Sequence, residues 1–397
     1  MTMTRLFNEH LRGDRTIWMV ALLLGVVSLL AVYSSIASLA FKHEGGSTLH
    51  FLFKHGMMLA TGGLIMYYAH RLRFGVYSKL AQMLIWATLG LLVVTLLLGT
   101  NLNDASRWLR IPVIGQSFQT SDLAKVVLVL YLSRVLAKQR DEPWTFRDVL
   151  VKLMVPAAAI CGAILPANFS TAALLFATCM VLFFIAEVPI KYLLSVVVIA
   201  IGAFALLLLL SRSVPGLLPR LDTWATRVES FGKEDPDANY QVDNAKVAIV
   251  NGGLLPNGPG TGTSRNFLPH PYSDMIFAFI IEEYGSVIGG LGLLLLYLIL
   301  LGRAVRIAAR CPRRFGSLAA LGLSLGLVLQ AMVNMAVAVN LVPVTGQPLP
   351  LVSMGGTSTW FTCLSIGIVL SVSRSVYDEE GASNEQKGRP RTANAIA

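Results

Sequence analysis

The sequence predicts an all-α polytopic integral membrane protein, and three observations carry that prediction. Apolar residues make up 55% of the 397-residue chain and are gathered into long runs instead of recurring at amphipathic spacing. Only 14% of residues are charged, and most of those lie between the runs. A run of about 18 or more apolar residues matches the thickness of the bilayer core, and a helix satisfies all of its own backbone hydrogen bonds in lipid.

In chain order the runs fall near 17–41, 51–70, 80–100, 121–137, 149–167, 170–187, 190–211, 274–302, 317–343 and 354–376, about ten transmembrane helices. Asp122 and Lys125 interrupt the start of the fourth, so a short or re-entrant helix with nine full spans is the alternative. The first run is too long for the apolar region of a signal peptide, and no small-residue cleavage site follows it, so it is expected to stay in the protein. Basic residues crowd the leader (Arg5, Arg12, Arg15), the 71–79 turn, the 134–152 connection and the 303–316 loop, whereas the short loops near 168 and 345 carry none. The positive-inside rule therefore puts both termini in the cytoplasm. The net charge of +10 reads as topology and attraction to anionic headgroups. No basic stripe interleaved with aromatics suggests nucleic acid.

One domain is expected over 1–377, including a large extracytoplasmic loop over about 211–273, with a polar, disordered cytoplasmic tail over 378–397. The large loop holds "YQVDNAKVAIVNGG", in which Val242, Ala245, Ala248 and Ile249 fit helical spacing. A second outer segment, 101–122, is rich in turn-formers. Cys161, Cys179, Cys311 and Cys363 are placed neither for a disulfide nor for a metal cluster. The glycines of "NGPGTGTSRN" lack the preceding strand and the lysine of a nucleotide loop and read as a flexible turn.

The ionisable residues at the outer ends of the runs are the candidates for function. Asp274 stands where "LPHPYSDMIFAFIIEEYG" turns from polar to apolar, and a charge moved into hydrocarbon costs about 3 kcal/mol or more unless water, a partner or a task accounts for it. Arg107, Arg110, Asp122, Lys125 and Asn168 fall on the same side. If they converge, the result is a partly cationic cavity suited to a lipid-linked diphosphate, with a carboxylate to take a proton from an attacking hydroxyl. Structural roles compete for each residue. Ser273 or Asp274 would serve as a helix cap, Arg107 and Arg110 beside Trp108 as interfacial anchors, and Lys125 as the ion-pair partner of Asp122 one turn earlier. Of Glu282 and Glu283, two turns into the eighth run, one is expected to face the cavity and the other to find water or a partner.

Three ordered motifs resemble the SEDS family (shape, elongation, division and sporulation). They are "NDASRWLRIPVIGQSFQTSDLAK" (103–125), "YQVDNAKVAIVNGGLLPNGPGTGTSRNFLPHPYSDMIFAFIIEEYG" (240–285) and "NLVPVTGQPLPLVSMGGTS" (340–358). The chain is more similar to the division-type FtsW branch than to the elongation-type RodA branch. The resemblance implies a peptidoglycan glycosyltransferase of the cytoplasmic membrane. It would polymerise lipid II on a lipid-linked glycan chain at the septum, with a class B penicillin-binding transpeptidase and other division-complex membrane proteins as partners. It also implies that Asp274 is the catalytic base and that Arg107 and Lys125, with Asp122 beside the lysine, belong to the substrate site; Trp108, Asn168 and Glu282 are further candidate substrate-binding residues read from their positions. No resident cofactor or dedicated metal-ligand set is expected; a divalent cation, Mg or Mn, would be held by the substrate diphosphate. Thr120, Asn168 and Met354 depart from the family pattern, which has Pro, Asp and Tyr there, and Asn168 removes a carboxylate. A lipid II flippase and a noncatalytic scaffold that activates the transpeptidase are the competing functions, and substitution of Asp274 discriminates among them.

Overall fold

The computed structural model describes residues 11–43, 48–102, 105–110, 117–139, 142–213, 227, 231, 236–267 and 272–388. Every apolar run is helical. The helices are α1 (Arg15–His43), α2 (Thr48–Arg71), α3 (Phe74–Leu98), α4 (Thr120–Lys138), α5 (Val155–Ile164, after a π-helical stretch Val149–Met154), α6 (Phe169–Ile185) and α7 (Ile190–Ser213). A helix of the large loop, α8 (Pro236–Gly252), precedes α9 (Ile276–Tyr284), which passes through a π-helical Gly285–Leu291 into α10 (Gly292–Arg310). Helices α11 (Arg314–Ala338) and α12 (Thr357–Gly388) complete the chain.

Among the described residues six segments are long and apolar enough to cross a bilayer: Arg15–Ser35, Phe74–Leu98, Ile190–Leu207, Ile276–Arg310, Arg314–Ala338 and Thr357–Glu380. The less apolar α4 owes its composition to position. Its residues Val126 through Leu130 are all buried, so it faces protein on every side. Lipid-facing surface shows the opposite signature, with Met83, Trp86 and Leu97 more than 70% exposed on α3. The protein is an all-α integral membrane protein.

Helix ends are set by local chemistry. Asp14 caps α1, its Oδ1 accepting from Thr16 N at 2.9 Å and Ile17 N at 3.2 Å. Its other oxygen pairs with Arg303 of α10. The eighth run is not one uniform helix: α9 stops at Gly285, whose φ of +71° suits glycine, and a Cβ there would stand 2.6 Å from Leu254 O. The last helix continues through Gly388, so the disorder expected from residue 378 does not describe 378–388; residues 389–397 lie outside the described residues.

The 101–122 segment holds regular structure that the sequence did not announce. Strands β1 (Thr100–Leu102), β2 (Ala105–Arg110) and β3 (Ser117–Gln119) form an antiparallel sheet, with Leu102 opposite Ala105 and Trp108 opposite Gln119. In the large loop, the helical spacing foreseen for 240–253 is met: Val242, Ala245 and Ala248 are buried on α8. Leu217, Leu218 and Trp224 lie outside the described residues.

Candidate active site

A hub segment, 345–354, organises the site. It joins α11 to α12, and its backbone is held by groups from α1 and α10 and by one of its own serines. Tyr297 Oη donates to Pro350 O at 2.5 Å, Ser28 Oγ to Val352 O at 2.7 Å, and Ser353 Oγ accepts from Leu349 N at 2.8 Å. This hub grips the segment carrying Asp274. Three consecutive carbonyls are bound: Tyr272 O by Met354 N at 2.9 Å, Ser273 O by Ser353 Oγ at 2.6 Å, and Asp274 O by Asn334 Nδ2 at 2.8 Å.

The Asp274 carboxylate is treated differently from its backbone. The N-cap residue of α9 is Met275, with no side-chain cap, so neither Ser273 nor Asp274 caps the helix, and the capping role is not the one observed. Half-buried beside Gly346, the carboxylate has no hydrogen bond or ion pair among the described residues. Gly346 adopts φ +64°, and a Cβ there would lie 3.9 Å from Asp274 Oδ2, so the main chain can pass close to the acid. Burial raises the Tyr272 phenol above its usual range, with the Asp274 charge adding to the effect.

The cationic part of the site is on α4. Lys125 Nζ is 2.7 Å from Asp122 Oδ1 and 3.0 Å from Gln330 Oε1 of α11. Asp122 is nearly fully buried while Lys125 keeps partial exposure, and Asp122 Oδ2 has no hydrogen-bond partner among the described residues. The three side chains line a cleft with Leu174, Gly322 and Phe361, polar where Asp122, Lys125 and Gln330 stand and largely apolar elsewhere. Gln330 and Asn334, four residues apart on α11, thus bond to Lys125 and to residue 274 respectively.

The family model of the FtsW, RodA and SpoVE cell cycle proteins matches residues 14–378. The chain belongs to this family. A protein of Geobacter sp. (strain M18) described as a probable peptidoglycan glycosyltransferase FtsW is 31% identical over 91% of this chain and 96% of its own. Stage V sporulation protein E of Bacillus subtilis (strain 168) is 28% identical over 91% of this chain and 97% of its own. Among solved structures, one described under structural coordination of polymerization and crosslinking by a peptidoglycan synthase complex superposes with a TM-score of 0.72. It is 27% identical, covering 92% of this chain and 98% of that one. Crystalline RodA of Thermus thermophilus superposes at 0.66 with 26% identity and the same coverage.

In this FtsW/RodA/SpoVE protein the other foreseen site residues divide. Asn168 caps α6, its Oδ1 accepting from Thr171 N at 3.2 Å; Thr171 Oγ1 in turn accepts from Gln347 Nε2 at 2.9 Å, which ties the cap to the hub. Asn and Asp cap equally well, so losing the family's carboxylate preserves this local role. Trp108 is half-buried in β2 opposite Gln119, next to the start of α4. Arg107 belongs to β2, and its side chain lies outside the described residues.

Glu282 is not turned toward the cleft. Its Oε1 accepts from Thr263 N at 3.1 Å, Ser264 N at 3.2 Å and Ser264 Oγ at 3.0 Å, so this substrate-site candidate holds the main chain of the large loop. Glu283 acts alongside it, its Oε1 accepting from Gly260 N at 2.9 Å, Gly262 N at 3.4 Å and Ser34 Oγ. The glycine-rich turn is therefore pinned: its N–H groups cradle a carboxylate of the same chain. A Cβ at Gly252 would meet Ile281 O at 2.2 Å, which explains glycine where the loop presses on α9. Among the described residues no three His, Cys, Asp or Glu side chains converge as metal ligands.

Sequence reasoning passed over Gln330, Asn334 and Gln347. The available signal was two amides at i and i+4 inside an apolar span, a placement that demands partners.

Proposed function

We propose that this protein is a peptidoglycan glycosyltransferase that polymerises lipid II at the outer face of the cytoplasmic membrane during septal wall synthesis. The observation that carries this reading is an unpaired carboxylate on a fixed backbone: Asp274 has all three carbonyls of its segment bound while its side chain has no partner among the described residues. A rigid mount with a free acid–base group is what general-base catalysis requires. The names of the relatives support the same reaction class.

In the proposed step Asp274 accepts the proton of the 4-hydroxyl on one lipid-linked disaccharide. The hydroxyl oxygen bonds to the anomeric carbon of the glycan chain as that carbon's bond to diphosphate breaks. The bonding pair leaves with the diphosphate, and inversion converts the α-linked donor into a β-1,4 link. Lys125, with Arg107, stabilises the negative charge that develops on the leaving group; one such contact is worth about 2.7–4 kcal/mol, a hundred- to a thousandfold in rate. Asp122 and Gln330 keep the ammonium oriented. Mg or Mn on the diphosphate would add charge neutralisation, and the chain's own residues carry every step above. A class B penicillin-binding transpeptidase is the proposed partner, in keeping with the synthase complex among the structural neighbours. Lipid II supplied to purified protein, with and without that transpeptidase, tests the proposal: glycan polymer supports it. Lipid II crossing vesicle membranes without polymer supports transport instead.

A further inference from the structure

Helix α11 presents two buried amides on one face, Gln330 and Asn334, separated by about 6 Å along the helix axis. Each bonds the hub with one donor and a candidate catalytic group with another bond. Gln330 Nε2 donates to Pro348 O at 2.8 Å while its Oε1 accepts from Lys125 Nζ at 3.0 Å. Asn334 Nδ2 donates to Gln347 O and to Asp274 O, both at 2.8 Å. Both Asn334 partners are carbonyl acceptors, so the nitrogen assignment is fixed by them. The arrangement leaves Asn334 Oδ1 without a partner among the described residues, a cost retained in a buried position.

A helix needing only adhesion to its neighbours would use small residues or one amide. Here the bonds converge on the two groups whose separation matters, the ammonium of Lys125 and the main chain of Asp274. We propose that Gln330 and Asn334 are positioning residues of the glycosyl transfer, a two-amide rack that sets the distance between the acid–base group and the cation at the leaving group. This inference rests on the roles proposed above for Asp274 and Lys125. Neither amide touches the reacting atoms; each acts through a residue that does.

Asn334→Asp is nearly isosteric but sets an oxygen against two carbonyls, freeing the 272–274 segment to shift. A displacement near 1 Å costs about a hundredfold in rate. The expected result is kcat for lipid II polymerisation reduced about ten- to a hundredfold with KM unchanged; the new carboxylate, buried against two carbonyls, also lowers the melting temperature, so rates are compared well below it. Asn334→Ser, which retains one donor, is expected to fall between, and Gln330→Met to lower kcat without raising KM. Wild-type kcat in folded Asn334→Asp overturns the inference, as does a loss of kcat matched by an equal rise in KM. If Asn334→Asp does not fold, Asn334→Ser and Gln330→Met decide by the same criteria. Asp274→Ala run in parallel separates the two claims. Polymer from Asp274→Ala removes the base itself, whereas an inert Asp274→Ala beside fully active amide variants refutes the rack alone.

Discussion

Replacing Glu283 by alanine should release the outer loop from α9. The side chain is fully buried, and its Oε1 receives Gly260 N at 2.9 Å, Ser34 Oγ and, more weakly, Gly262 N at 3.4 Å. A buried donor left without an acceptor costs about 1–3 kcal/mol, so losing the two short bonds costs about 2 kcal/mol or more. Glu283→Gln retains an acceptor for the same donors and should lose less. Thermal unfolding of the purified protein in one detergent gives the order wild type, Gln, Ala. Hydrogen exchange adds the location, with the Gly260 amide losing protection first. Equal melting of Glu283→Ala and wild type, with Gly260 still protected, would refute the reasoning.

Other substitutions have definite expected outcomes. Lys125→Ala strands the buried Asp122 carboxylate and should destabilise by about 3–5 kcal/mol, more than Asp122→Ala, because the Lys125 ammonium retains Gln330 and partial exposure; paired melting curves check the asymmetry. Asn168→Ala should cost about 1 kcal/mol through the lost cap of α6 and Asn168→Asp almost nothing, read by the same melts. Gly252→Ala forces a Cβ against Ile281 O, and a cost of about 1–3 kcal/mol is expected, with increased proteolysis in 252–264 as the local readout.

The helices were legible because lipid imposes them: each apolar run had no other way to satisfy its backbone, and all ten are helical. The sheet was not, since β1 and β3 have three residues each, too few to display a period of two, and the six of β2, ASRWLR, do not alternate apolar with polar. Asp274, Asp122 and Lys125 stood out as ionisable groups at apolar boundaries. Glu282 stood out for the same reason, but its partners at Thr263 and Ser264 were not legible, because a buried carboxylate met by main-chain N–H groups leaves no charge pattern in the sequence. Gln330 and Asn334 carry no charge and contact residues scattered over two hundred positions, so only the fold reveals what they connect.

Single-turnover polymerisation of lipid II by Asp274→Ala and wild type, each with its transpeptidase and matched in melting temperature, tests the central claim most directly. Polymer from the wild type and none from the variant is the predicted result. Equal rates from the two would contradict the assignment of Asp274 as the base.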